Sequence, residues 1–258
     1  MFEIIRDIVI PFFGTFLGAC TVFIFKEGMK PGVQKAFSGF AAGVMVSAAV
    51  WSLIIPSIEQ SANLGKSAFI PACVGVWIGF AFLMLLDKII PHLHLNNTSE
   101  GIESNLKRST KMILAVALHN LPEGMAVGVA LAGMKSGEIG VSGTAALALS
   151  VGIAVQNFPE GAIISVPLHN EGMSKKKAFI YGALSGIVEP VGAFLTLLLA
   201  GFAVAVLPYF LSFAAGAMLY VAVEELIPEF SGGEHSHTGT VFFALGFTSM
   251  VILDTVLG

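Results

Sequence analysis

Two six-residue stretches carry groups that can do chemistry, at a shared spacing. "HNLPEG" at residues 119–124 and "QNFPEG" at residues 156–161 agree at four of six positions. In each, the first side chain and the glutamate stand four residues apart: His119 with Glu123, and Gln156 with Glu160. That spacing places both on one face of a helix. Asn120 and Asn157 follow the first residue of each motif, and a third glutamate, Glu189, precedes Pro190 in "GIVEPVGA". Imidazole nitrogen, carboxylate and amide oxygen form a mixed donor set suited to borderline divalent metals such as Zn, Fe(II), Mn or Co. Met45 offers a thioether that either joins such a set or simply packs in the core.

The setting of these residues restricts what they do. Residues 112–134 are otherwise apolar and small, about long enough to cross a ~30 Å hydrocarbon layer. A charge at mid-depth costs about 3 kcal/mol on insertion scales, so three unpaired carboxylates cost roughly 9 kcal/mol. The sequence places no Lys or Arg at that depth, which leaves protons or a bound cation as neutralisers. Pro122 and Pro159 cannot donate to the carbonyls of Leu118 and Val155, so each helix is expected to kink there. Gly124 and Gly161 admit a close neighbour. A polar, interrupted turn survives in lipid only where it is buried or lines a watery path.

The elements that must position these groups are membrane helices. The chain has 258 residues, 55% hydrophobic and 12% charged, and its mean hydropathy is +0.86. Charged residues cut it into spans near 8–25, 36–56, 67–86, 112–134, 140–168, 178–205, 208–227 and 240–257. Residues 190–223 are uncharged throughout, ~50 Å of helix and too long for one crossing, so the turn is expected at Pro208. The fold class is all-α integral membrane, with eight transmembrane helices in a single transporter domain over residues 1–258. Alternating short strands, the mark of a barrel, are missing from the pattern. The first residues lack the basic start and small-residue cleavage site of a signal peptide and read as the first span. Cys20 and Cys73 read as small buried hydrophobes rather than a disulfide. No basic aromatic patch suggests nucleic acid.

Ten of the thirteen Lys and Arg residues fall in loops after odd-numbered helices. By the positive-inside rule those loops face the cytoplasm, and both termini lie outside the inner membrane. Residues 40–45, "FAAGVM", recur as "FAAGAM" at 213–218, and a proline follows each copy, at Pro56 and Pro228. The copies lie on helices two and seven, which run in opposite directions. That is the mark of an inverted-topology repeat, relating helices 1–3 to 6–8 around central helices 4 and 5. Shared small-residue packing is the alternative, but it does not account for the matching Phe, Met and following Pro.

At the paired motifs the chain resembles the ZIP family of divalent metal-ion transporters, bacterial members included. The resemblance covers essentially the whole length. It implies a binuclear metal centre halfway across the membrane and metal movement into the cytoplasm. Carried over by position, one site uses His119, Glu123, Gln156 and Glu160 with Met45. The adjacent site uses Asn120, Asn157 and Glu189, with Glu123 and Glu160 as bridges. Many members have His where this chain has Gln156, and some have Asp at Asn157. Glu224 and Glu225, near the cytoplasmic end of helix seven, suggest either an exit path or simple solvation at the helix end. His92, His94, His235 and His237 are candidates for weak cytoplasmic contacts, or for simple solvation. His169 and Asp254 look peripheral. Zinc, and with it iron, manganese, cobalt or cadmium, is the expected substrate rather than a cofactor. The expected partners are these ions and the lipid bilayer, and small-residue faces permit a homodimer.

Two other readings use the same residues. A secondary transporter of another small substrate would keep the metal for structure or coupling. A membrane-embedded metallohydrolase would bury His and Glu too, but usually as H-E-x-x-H, so no enzyme is expected. A metal-sensing receptor has no need of an inverted repeat. No G-x-x-x-x-G-K-[ST] motif occurs, so the metal gradient or a coupled ion drives alternating access.

Overall fold

Among the described residues, the uncharged runs form eight helices long and apolar enough to cross a membrane. They are α1 (Phe2–Phe23), α2 (Pro31–Gln60), α3 (Phe69–Ile89), α4 (Arg108–Ser136), α5 (Gly143–Asn170), α6 (Lys175–Leu199), α7 (Leu207–Ser231) and α8 (Thr238–Leu257). The computed structural model describes residues 1–25, 28–93, 99–137, 141–200, 206–233 and 236–258. The candidates His94 and His235 lie outside the described residues. Between α3 and α4, β1 (His92–Leu93) pairs antiparallel with β2 (Ser99–Glu100). The all-α, eight-span expectation holds, and this is a multi-pass membrane protein. Pro208 stands in the first turn of α7, where a missing N–H costs nothing.

Neither motif proline ends its helix. Helix runs on through Pro122 in α4 and through Pro159 in α5. The interruption falls in α6, which is helical over Lys175–Ser185 and again from Val188, with Gly186 and Ile187 between. Glu189 therefore stands in the first turn of a helix, where a carboxylate is favoured by the backbone dipole and Pro190 is tolerated. In α2 and α7 a π-helical turn follows each matched segment, at Ala49–Ile54 and Ala222–Leu226, and Pro56 or Pro228 stands two residues beyond it. Such bulges gather at functional positions.

The eight helices pack as two groups of four. Helices α1, α4, α5 and α6 pair closely with one another, as do α2, α3, α7 and α8. Within each group backbones touch at glycines. A Cβ on Gly14 would lie 2.0 Å from the Ala154 carbonyl oxygen, and one on Gly43 would lie 2.1 Å from that of Phe243. Between the groups, side chains meet at two places: the Met250 sulfur covers Gly152, and the Phe37 ring meets that of Phe158. One apolar core joins residues 41–53 of α2, 126–132 of α4 and 214–222 of α7. The reading of both cysteines as buried needs correction. Cys20 is half-buried, and Cys73 is exposed on α3, on an apolar surface shared with Trp77 and Ile78. In a membrane protein that surface faces hydrocarbon, so a small hydrophobe is favoured there without burial in protein.

Candidate metal centre

The two motif glycines explain why the centre sits where it does. A side chain on Gly124 would strike the backbone of Glu189, at 2.3 Å from its oxygen. Glycine there brings α6 against α4 and sets Glu189 beside the HNLPEG turn. Gly161 does the same for α1, whose Thr15 carbonyl would lie 2.1 Å from a Cβ. Thr15 Oγ1 then donates to Glu189 Oε1 at 2.9 Å, and Asn120 Nδ2 donates to the same oxygen at 2.7 Å. Gln156 Nε2 donates to Glu123 Oε1. Asn157 lies beside both Glu123 and Glu189, and Glu160 is within electrostatic range of both and of His119. Seven of the eight sequence-derived candidates are therefore brought together. Met45 is fully buried in the apolar core, and no contact to these carboxylates is described for it.

These residues carry more acceptors than donors. Asn120, Glu123, Gln156, Asn157 and Glu189 are fully buried, and Glu160 is 5% exposed. Among the described residues, seven of their oxygens have no hydrogen-bond partner: Asn120 Oδ1, Glu123 Oε2, Gln156 Oε1, Asn157 Oδ1, both oxygens of Glu160, and Glu189 Oε2. Buried acceptors are ordinarily paired, so a convergent set of orphaned oxygens marks a place for a cation or protons.

One route leads in. A cavity of about 500 Å³ reaches His119 and Glu160 from the end of the molecule that carries the basic residues, past Glu224, Glu225, Glu229 and Lys35. Contacts hold that end together: Lys175 Nζ reaches the Phe23 and Phe25 carbonyls, and Arg108 pairs with Glu171 at 2.5 Å. His119 Nε2 donates to Glu225 Oε1 across the head of the cavity. Glu224 is exposed at its wall. Toward the other end, the apolar core of α2, α4 and α7 closes over Glu123. Beyond it lies a second cavity of about 410 Å³ bordered by Glu59 and Asp254, with Asp254 accepting from Ser52 at 2.8 Å.

Asp87, Glu229 and Thr15 were not singled out from the sequence. Asp87, His92 and Glu225 hold ligand-type atoms within 4.8 Å of one another, and Tyr220 donates to Asp87. The Asp87 carboxylate lies 3.7 Å from His92 Nε2. The available signal was an aspartate five residues before a histidine at the end of an apolar run. Glu229 accepts from Gln34 at 2.9 Å, and its four-residue spacing from Glu225 was the corresponding signal. His237 is the N-cap residue just before α8, and His169 bonds the Met173 carbonyl at 2.8 Å.

The fold and the centre define a multi-pass helical membrane protein with an acceptor-rich polar site deep between its helices. The family model described as ZIP Zinc transporter matches residues 98–254. Relatives extend the match over the rest of the chain. "Zinc transporter GufA" of Myxococcus xanthus is 36% identical over 248 aligned positions, covering 95% of this chain and 94% of the relative. "Zinc transporter ZIP11" of Xenopus tropicalis is 33% identical, with the same two coverages. "Zinc transporter ZIPB" of Bordetella bronchiseptica is 35% identical over 87% of this chain and 72% of its own length. The chain belongs to the ZIP family.

Proposed function

We propose that the chain carries divalent metal ions, zinc foremost, into the cytoplasm through a two-ion centre at mid-membrane. The observation that carries this reading is the set of seven buried oxygens without donors, beside three carboxylates that no Lys or Arg touches among the described residues. A cation satisfies them all at once. His119, Glu123, Gln156 and Glu160 form the first site. Asn120, Asn157 and Glu189 form the second, and Glu123 and Glu160 bridge the two. The zinc in the relatives' names supports zinc as substrate.

Orientation follows from the Lys and Arg bias, which puts the basic end in the cytoplasm and both termini outside. The cavity then opens inward, and the apolar core closes the outer half. Asp87, His92 and Glu225 lie along the exit. The glycine-locked packing inside each group of four helices, and the side-chain contacts between groups, support two bodies that move against each other. The matched π turns of α2 and α7 support the inverted repeat. The test is reconstitution: purified protein in sealed vesicles should accumulate radioactive zinc down its gradient without ATP. Vesicles that take up no zinc would reject the proposal.

A further inference from the structure

A threonine inside a helix commonly gives its hydroxyl to a carbonyl of its own chain segment. Thr21, Thr248 and Thr255 each donate to a carbonyl three or four residues back, at 2.7–2.8 Å. Thr15 departs from that habit. It is fully buried, and its Oγ1 crosses from α1 to α6 to donate to Glu189 Oε1 at 2.9 Å. The Pro11 carbonyl, four residues back on α1, faces Asn157 Nδ2 at 3.5 Å instead. Two glycines permit the crossing. Gly161 brings the Thr15 backbone against α5. A Cβ on Gly186, at the break in α6, would lie 2.9 Å from Thr15 Oγ1 and 3.0 Å from Glu189 Oε1, so bare backbone leaves room for the bond. Asn120 Nδ2 donates to the same oxygen at 2.7 Å. A carboxylate oxygen has about two lone-pair sites, so Thr15 and Asn120 fill Oε1. Glu189 Oε2 is the oxygen left without a partner among the described residues.

We propose that Thr15 is a specificity-determining residue of the second site: it makes Glu189 a single-oxygen ligand and so favours compact ions such as zinc over larger ones such as cadmium. The inference rests on the two-ion reading above. Thr15 acts through Glu189, as a positioning residue, and touches no ion itself. Zinc binds carboxylate oxygen at about 2.0–2.2 Å and closes its shell with about four ligands, so one oxygen from Glu189 suffices. Larger divalent ions fill wider shells by taking both oxygens of a carboxylate, as calcium does, and cadmium is close to calcium in size. With Oε1 committed, that second bond costs the hydrogen bond from Thr15.

Thr15→Val removes the hydroxyl and keeps the shape of the side chain. In purified protein, displacement of radioactive zinc by cadmium reads the ratio of the two affinities. That ratio should move about tenfold toward cadmium in Thr15→Val, the scale of one hydrogen bond to a charged group. Thr15→Ser keeps the donor and should hold the ratio of the unaltered protein. In a Glu189→Ala background, Thr15→Val should move the ratio no further. Infrared difference spectra on adding cadmium give an independent view. The splitting of the carboxylate stretching bands should narrow in Thr15→Val, as two-oxygen binding requires, and stay wide in Thr15→Ser. If Thr15→Val fails to insert, Thr15→Ala removes the same donor and carries the test. An unmoved ratio in folded protein lacking the hydroxyl overturns the proposal. So does an equal shift in Thr15→Ser, or a shift that survives Glu189→Ala. Unaltered protein that binds no zinc would overturn the two-ion reading and this proposal together, whereas zinc bound with an unmoved ratio overturns the role of Thr15 alone.

Discussion

Gln156 reaches across from α5 and donates its amide to Glu123 on α4, so one QNFPEG side chain already holds a carboxylate of the opposing motif. Its remaining oxygen is buried without a donor. An amide in that position is a weak zinc ligand, and imidazole a better one. Gln156→His should therefore tighten zinc binding, with an equal or lower maximal transport rate, because a carrier must also release its cargo. Equilibrium binding together with uptake kinetics separates the two effects. Unchanged affinity in folded protein would place Gln156 away from the ion.

The three carboxylates are not equally placed. Glu160 has no partner on either oxygen, and Glu123 has one on a single oxygen. Glu189 Oε1 accepts from both Thr15 and Asn120. Glu123 and Glu160 are the proposed bridges and should be the sensitive positions. Ala at either should abolish uptake in protein that still inserts, while Glu189→Ala should retain part of it. Normal uptake by Glu123→Ala would remove the centre proposed above.

Much of this was legible in the sequence because membrane helices and buried carboxylates leave strong marks. Charges cut the hydropathy into eight spans, and a four-residue spacing put His119 with Glu123 and Gln156 with Glu160. What escaped depends on tertiary convergence. Asp87 at the end of α3 and Glu229 at the end of α7 read as ordinary interfacial charges until packing brought them toward one cavity. Thr15, a lone hydroxyl in an apolar helix, belongs to no pattern. The break in α6 was hidden because Gly186 and Ile187 continue an apolar run. Pro122 and Pro159 each remove one backbone donor without ending α4 or α5.

Gly124 tests how tightly the second site depends on helix approach. A Cβ there meets the Glu189 backbone rather than a movable side chain. Gly124→Val should push α6 away and break the Asn120–Glu189 bond, at an overpacking cost of about 1–3 kcal/mol. A lowered unfolding temperature and lost uptake are expected. Gly137→Ala, at a left-handed helix end in open space, should leave uptake intact. Equal transport by Gly124→Val would mean the close approach serves packing alone.

Orientation is open to direct labelling. Single cysteines at Lys66 or Lys135, in a cysteine-free background, should react with an impermeant reagent outside intact cells. Cysteines at Lys107 or Lys176 should react only after the membrane is opened. The opposite pattern would reverse the direction of transport along with the topology.

Protons are the competitor that any metal must meet at this centre. Glu123, Glu160 and Glu189 lie together in the protein interior, and no Lys or Arg touches them among the described residues. In the absence of metal, protons are the other neutraliser of such a group, and the carboxyls titrate as a coupled set rather than singly. The His119 nitrogen nearest Glu225 also carries a proton that a ligated ion would displace. Metal ligation releases such protons, so zinc affinity should fall as pH drops from neutral toward about 5. Calorimetry in buffers of different ionisation enthalpy counts the protons released. At least one per zinc is expected near pH 6. Zinc bound there with none released would require carboxylates already ionised and paired with cationic side chains, a partner the arrangement around Glu123 and Glu160 does not supply, and the proposed centre would fall with it.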